Sequence, residues 1–434
     1  MYYFIGIKGS GMSALACVLH DLGYEVKGSD VDKHFFTEES LNKRNIEILT
    51  YNENNIKEGM TIIKGNAIKD DNPELIKAYN LELTIHPYEE MVGKLTNMFL
   101  AITIAGCHGK TSTTALLSHI LNGIVGANYL IGDGTGYASK ENKYFVLEAC
   151  EYKRHFLAYH PYYAIITNIE LDHVDYFENI DDVIDAYRSY ANNAEKMVIA
   201  CGDDSYTHSL DINKPIFYYG IDEDNDIIAK DVNYTSSGTS FDVFVEDNYY
   251  GHFDLPIFGK HQLLNALAAI SVCYYERLES KEVAALIKSF EGAKRRFSET
   301  IIKNNVIIDD YAHHPTEVRV TLKAAKQKYP DKEIIAIFQP HTYSRAEEFK
   351  DEYIEALKNS DKAYIMDIHA SRENEKDFNI TSNDIIKEIK GAESIKIDEA
   401  DKLLKHKNAV LLFMSANDIS ELENSYIKAL NEED

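Results

Sequence analysis

The sequence predicts an α/β protein built from three successive units, and three observations predict it. Short apolar runs alternate with amphipathic stretches along most of the 434 residues, the pattern of parallel strands covered by helices on both faces. That alternation restarts twice, near residues 98 and 298. The length suits a few domains of about 100–200 residues each, and 45% hydrophobic residues supply their cores.

In the first unit, residues 2–7 form an apolar run. A glycine cluster and a helical stretch near 11–22 follow, with strands expected at 24–28, 46–49 and 60–64. The second unit opens with FLAITIA at 99–105, then GCHGKT and a helix to about 122. Strands are expected at 144–149, 163–167 and 197–200. Strict alternation at 227–255 predicts an antiparallel patch, and a helix should cover 262–276. The third unit should carry strands at 305–309, 333–338, 362–366 and 408–413, with helices at 315–328, 346–358 and 417–429.

Composition narrows the partners. Against 45 Lys and Arg stand 71 Asp and Glu, a net charge of −26. A phosphate backbone or an anionic lipid surface would be repelled, so neither nucleic acid nor membrane is expected as a partner. The five cysteines form no CxxC pair, which suits a reducing compartment. The N-terminus lacks the pattern of a signal peptide and no run is long enough to span a membrane. A cytoplasmic location is the expectation.

Three sites of chemistry follow from the motifs. The strongest is Gly106-Cys107-His108-Gly109-Lys110-Thr111-Ser112, between a strand and a helix. Backbone N–H groups of such a turn point at phosphate oxygens, and the helix N-terminus adds positive potential. Lys110 is placed to reach the β- and γ-phosphates of ATP and Thr111 to ligate Mg²⁺. The loop is shorter than the usual G-x-x-x-x-G-K-[ST], having Ile104 where the first glycine would stand. Glu148 ends the next strand, Glu151 follows, and Asp172-His173-x-Asp175 ends another. These acids fall at the same carboxyl edge as the loop. From chemistry alone His173 is as readily a loop histidine as a ligand.

The second site is Gly6-Ile7-Lys8-Gly9-Ser10-Gly11, with Asp30 placed as an acid that contacts a ribose. A nucleotide-sugar diphosphate suits it as well as NAD does. The third combines Asp309-Asp310-Tyr311-Ala312-His313-His314 with Gln339-Pro340-His341-Thr342-Tyr343-Ser344-Arg345. Between units, Lys294-Arg295-Arg296 is a cationic knot placed to meet a transferring phosphoryl group.

Taken in order, GIKGSGMSALA, GSD, GCHGKTSTT, LEACE, TNIELDHVD, GKHQLLNALAA, KRRF, DDYAHHPTE and FQPHTYSR resemble the Mur ligase family along essentially the whole chain. The resemblance implies a Rossmann-like uridine-nucleotide domain (residues 1–97), a central P-loop-type ATPase domain with a mixed sheet (98–296) and a Rossmann-like amino-acid domain (297–434). It implies that L-alanine is joined to the lactyl carboxylate of UDP-N-acetylmuramate through an acyl phosphate, with ATP cleaved to ADP and phosphate. It assigns phosphate binding to Lys110, and Mg²⁺ to Thr111, Glu148 and His173. It places His261 and Asn265 at adenine, and Arg296 and Asp310 at the γ-phosphate and ribose. Tyr311, His313 and Arg345 fall on the amino-acid side, with Arg345 on the alanine carboxylate. Gly9, Ser10, Gly11, Met12, Ser13 and Asp30 fall at the uridine-nucleotide end. A monomer or homodimer is expected.

Departures from the family pattern are Cys107 for threonine, Gln262 for asparagine and Thr342 for arginine. The stretch after Glu148 is also less acidic, which leaves Glu151 without an assigned role. Cys107, beside Lys110 at a helix N-terminus, is expected to be a reactive, ATP-protected thiolate. Two other readings compete: a recycling ligase that adds a peptide to the same nucleotide, and an NAD-linked oxidoreductase using the first glycine turn.

Overall fold

The computed structural model describes residues 1–371 and 373–432. Its strands form three sheets, one for each α/β domain. The first has five parallel strands in the order Glu47–Thr50, Val26–Asp30, Tyr2–Ile5, Thr61–Lys64, Thr84–Pro87. The ten-stranded central sheet is mixed. A parallel core around Leu100–Ala105 continues into the antiparallel strands Ile227–Thr235, Gly238–Val245 and Asn248–Leu255, and Thr135–Tyr137 closes the other edge. The C-terminal sheet has six strands, parallel except for Ser298–Ile302.

Most elements lie within two residues of their sequence-based positions, and the differences have local causes. The second strand starts at Val26, not 24, because Gly23 turns the chain at φ +87° and leaves Tyr24 exposed. The stretch 346–358 is two helices, Tyr343–Glu348 and Lys350–Leu357, parted at Phe349. Thr84–Pro87 and Ser298–Ile302 are edge strands with little burial, so no apolar run announces them. The hairpin Ala127–Ile131 with Thr135–Tyr137 and the helices Tyr88–Thr96 and Ser280–Lys288 are likewise additions to the expected elements.

The two seams between domains differ in kind. The N-terminal and central domains share one apolar core, in which Leu15, Leu19, Val92 and Leu95 continue into Phe145, Phe156 and Tyr187. Gly136 packs so closely on the helix Ser10–Asp21 that a Cβ would lie 2.2 Å from the Ala14 carbonyl oxygen. The C-terminal domain meets the central one through charged side chains at the site described below.

The N-terminal sheet is pinned by a buried carboxylate. Glu74 accepts hydrogen bonds from Tyr3 Oη (3.0 Å), Ser29 Oγ, the Asn52 N–H (3.1 Å) and Asn55 Nδ2 (2.7 Å). Removing the acceptor leaves buried donors unpaired. Glu74→Ala should destabilise this domain by about 3 kcal/mol, read as an earlier urea transition. An unchanged midpoint would show that the network contributes nothing.

Candidate active site

Leu100–Ala105 lies between Tyr163–Ile166 and Tyr144–Glu148. The chain changes sides of the sheet here, so the loop after this strand opens at a switch point. The loop is Gly106 to Gly109, and the helix Lys110–Ile124 follows. Gly106 (φ +146°) and Gly109 (φ +83°) have backbone angles that side chains rarely adopt. A Cβ on Gly106 would lie 1.9 Å from Thr167 Oγ1, and one on Gly109 2.3 Å from Asn265 Oδ1. The next strand end locks the loop. Thr167 donates to the His108 carbonyl (2.6 Å), while Asn168 accepts the His108 N–H (2.9 Å) and donates to the same carbonyl (2.9 Å).

Lys110 Nζ donates to the Gly106 and Cys107 carbonyls and to both oxygens of Glu151, 3.0 and 3.1 Å away. Burial disfavours its charge, but Glu151 outweighs that and raises its pKa. Glu151 itself is buried, so the residue left without a role holds the phosphate-loop lysine. Glu148 accepts the Gly132 N–H at 2.6 Å and hydrogen-bonds Thr111. Burial raises its pKa, the mark of a carboxylate short of positive charge. Thr111 and Glu148 thus offer oxygen ligands that fit Mg²⁺. His173 lies against Glu151 (Nε2 to Oε1, 3.6 Å), and its Nδ1 has no hydrogen-bond partner.

A cavity of about 280 Å³ runs from the loop between the helices Lys260–Tyr275 and Pro315–Lys328. His108, Gly109, Ser112, His261, Asn265, Arg296 and Asp310 all line it. Asn265 faces Gly109 and donates to Gln262 (3.2 Å). Burial, reinforced by the Arg296 charge, pushes His261 down to about 4, so its ring is neutral. Burial pushes Asp310 up to about 6, although it accepts the Phe297 and Ala312 N–H groups, each at 2.8 Å. Arg296 joins the parts: Nη2 is 3.4 Å from Thr111 Oγ1, and the guanidinium lies 5.0 Å over the Tyr311 ring.

The C-terminal cluster closes on the loop through charge. His108 sits between Glu170 Oε2 (2.9 Å) and Glu317 Oε1 (3.2 Å). Burial would lower its pKa, but the two carboxylates lift it to about 9. Thr316 donates to Glu170 Oε1 (2.8 Å), and His313 Nδ1 is 3.0 Å from Glu317 Oε2. Arg345 is buried, with Nε and Nη2 on Asp172 Oδ1 at 2.9 and 2.7 Å and Nη1 on the His341 carbonyl at 3.2 Å. Sequence reading passed over Glu170 and Glu317. A capping pattern, H-P-T-E, marks the second, since Glu317 accepts the His313 and His314 N–H groups at the start of its helix.

One expectation needs correction. Cys107 is not a poised thiolate: it is 8% exposed, its Sγ donates to the Glu170 carbonyl (2.9 Å), and burial with the nearby Glu151 charge raises its pKa well above the ordinary thiol value. Met12 and Ser13 are buried beneath the Gly6–Ser10 turn, and Ser13 Oγ donates to the Ser10 carbonyl at 3.0 Å. Gly9, Ser10 and Gly11 remain accessible there. Asp30 supports the turn, accepting the Lys8 and Val31 N–H groups, both at 2.8 Å.

A phosphate loop facing a second α/β domain across a charged seam defines a multidomain nucleotide-using enzyme. Residues 1–100 match the Mur ligase family, catalytic domain, residues 104–273 the Mur ligase middle domain, and residues 295–417 the Mur ligase, glutamate ligase domain. The chain belongs to the Mur ligase family and is an ATP-dependent peptidoglycan-precursor ligase. Among solved structures it is similar to the UDP-N-acetylmuramate–alanine ligase MurC of Thermotoga maritima, with 26% identity and a TM-score of 0.83, over 100% of this chain and 99% of that one. It shares its fold with a murein peptide ligase of Psychrobacter arcticus (23% identity, TM-score 0.75, 99% and 98% covered). The same holds for a MurF ligase of Thermotoga maritima in complex with ADP (18%, 0.65, 96% and 98%). Among the described residues no helix is long and apolar enough to cross a membrane.

The seam should respond to pH. His108 is held above its ordinary 6.5, so its contribution is complete below about pH 6.5 and is lost as pH rises through about 9. Glu170 is held at about 2 against an ordinary 4.5: burial opposes this, but His108 prevails, so its contribution is lost only as pH falls through about 2. Small-angle scattering should therefore show the C-terminal domain swinging away above about pH 9 but not at pH 6. Equal dimensions at both would contradict this.

Proposed function

We propose that this ligase joins L-alanine to the lactyl carboxylate of UDP-N-acetylmuramate. In this reading residues 1–97 hold the uridine nucleotide, 98–296 hold ATP, and 297–434 supply the amino-acid side. The observation that carries it is Arg345, a buried guanidinium joined through Asp172 to the loop that bears His173. His341 touches it, and ring contacts run from His341 to His313 and on to Tyr311, side chains of the right chemistry for a small amino acid's carboxylate. The likeness to an alanine ligase over the full length supports the same choice.

In this mechanism Lys110, the loop N–H groups and Arg296 hold the ATP phosphates and offset charge that builds during transfer. Thr111 and Glu148 would hold Mg²⁺, which would screen charge on the phosphate oxygens. The lactyl carboxylate attacks the γ-phosphorus, ADP leaves, and an acyl phosphate forms. The amine of alanine attacks the acyl carbon, loses a proton, and expels phosphate. Closure of the charged seam keeps water from the acyl phosphate. His261, neutral and partly buried, and Asn265 take the adenine end.

Phosphate release with ATP·Mg²⁺ should require both UDP-N-acetylmuramate and L-alanine. Lys110→Met should reduce it at least about 100-fold with the fold intact. Release restored by a short peptide but not by alanine would replace this reading with peptide addition.

A further inference from the structure

The geometry points to a second divalent-cation site at the seam, formed by His108, Glu170 and His314 and suited to a borderline ion such as Zn²⁺. One nitrogen or oxygen from each lies within 4.8 Å of the others. His108 and Glu170 come from the central domain, and His314 is the N-cap of the C-terminal helix Pro315–Lys328. Two atoms bound to zinc at a tetrahedral angle lie about 3.3 Å apart. Here His108 Nε2 is 2.9 Å and His314 Nδ1 is 3.9 Å from Glu170 Oε2, values that bracket that distance.

The surroundings are those of a built site. Glu317 Oε1 lies 3.2 Å from the other His108 nitrogen, which makes no hydrogen bond here, close enough to support a metal-bound imidazole after a small turn of the ring. Thr316 fixes the second Glu170 oxygen at 2.8 Å. His314 is 2% exposed. Its Nδ1 accepts the capping Thr316 N–H (3.3 Å), a bond the ion would replace, and its Nε2 has no hydrogen-bond partner. Two nitrogen donors and one carboxylate exclude Mg²⁺ by preference and favour Zn²⁺ or Co²⁺. On binding, the ion replaces the proton on His108 Nε2, which is released to solvent. His108 and Glu170 also line the nucleotide cavity, which leaves the fourth position open to water or phosphate. An ion held by both domains fixes the seam shut, so such metals slow turnover by opposing reopening.

Cobalt titration of the full chain without nucleotide tests this. The wild type should develop the intense visible bands of tetrahedral Co²⁺, saturating at one such ion per chain, and Zn²⁺ should abolish them. His314→Asn keeps a capping side chain and Glu170→Gln keeps the volume. Each should weaken binding at least about tenfold, with circular dichroism confirming the fold. Glu148→Gln should leave the bands in place. Absence of the bands in wild type, their survival in both seam variants, or their loss in Glu148→Gln would overturn the assignment. None of these readouts depends on which amino acid the enzyme ligates.

Discussion

The site depends on charge crossing the boundary between the central and C-terminal domains. Arg345 and Asp172 form a buried pair, with side chains 6% and 7% exposed. Neither charge is tolerable there alone, since an unpaired buried ion costs several kcal/mol. His108 obeys the same rule between Glu170 and Glu317. The phosphate loop, the acid-lined strand ends and the C-terminal cluster are therefore assembled by the contact that neutralises them. The N-terminal domain is attached differently, by apolar side chains continuous with the central core. A greasy seam has no cheap open state, whereas a charged seam can exchange its partners for water. The fold thus has one boundary packed by apolar side chains and one joined by charge, and the candidate site sits at the charged one.

Local geometry prepares that boundary before any ligand arrives. Glycines at 106 and 109 permit a loop that no side chain could share with Thr167 and Asn265. Glu151 keeps Lys110 folded against the loop carbonyls. Incoming phosphate oxygens compete for the same ammonium, so a lysine already charged and placed needs only to exchange acceptors. Arg296 stands between Thr111 and Tyr311, joining the glycine loop's helix to the C-terminal cluster.

Much of this was legible in the sequence because it is local. Strand, glycine turn and helix recur at 2–22 and 99–122, and the alternation at 227–255 names its own antiparallel ladder. Seven of the expected ATP residues line one cavity, and most of them follow a strand or sit in the first turns of a helix. What escaped was set by distant partners. Thr84–Pro87 becomes a strand only because Thr61–Lys64 offers it an edge. Cys107 has the local context of an activated thiol, yet burial and the charge of Glu151, 44 positions away, reverse it. Glu151, Glu170 and Glu317 look like surface acids until the fold shows which cations they face. Asp30 was read as a ribose contact, and the backbone of Lys8 claims one of its oxygens.

The most direct test of the seam as the organising centre is a double-mutant cycle between Asp172 and Arg345, read as kcat/KM for the amino acid. The two single losses should be far from additive, with a coupling of about 1.5–3 kcal/mol. Losses that simply add would mean that the pair is incidental and that the two domains find their alignment elsewhere.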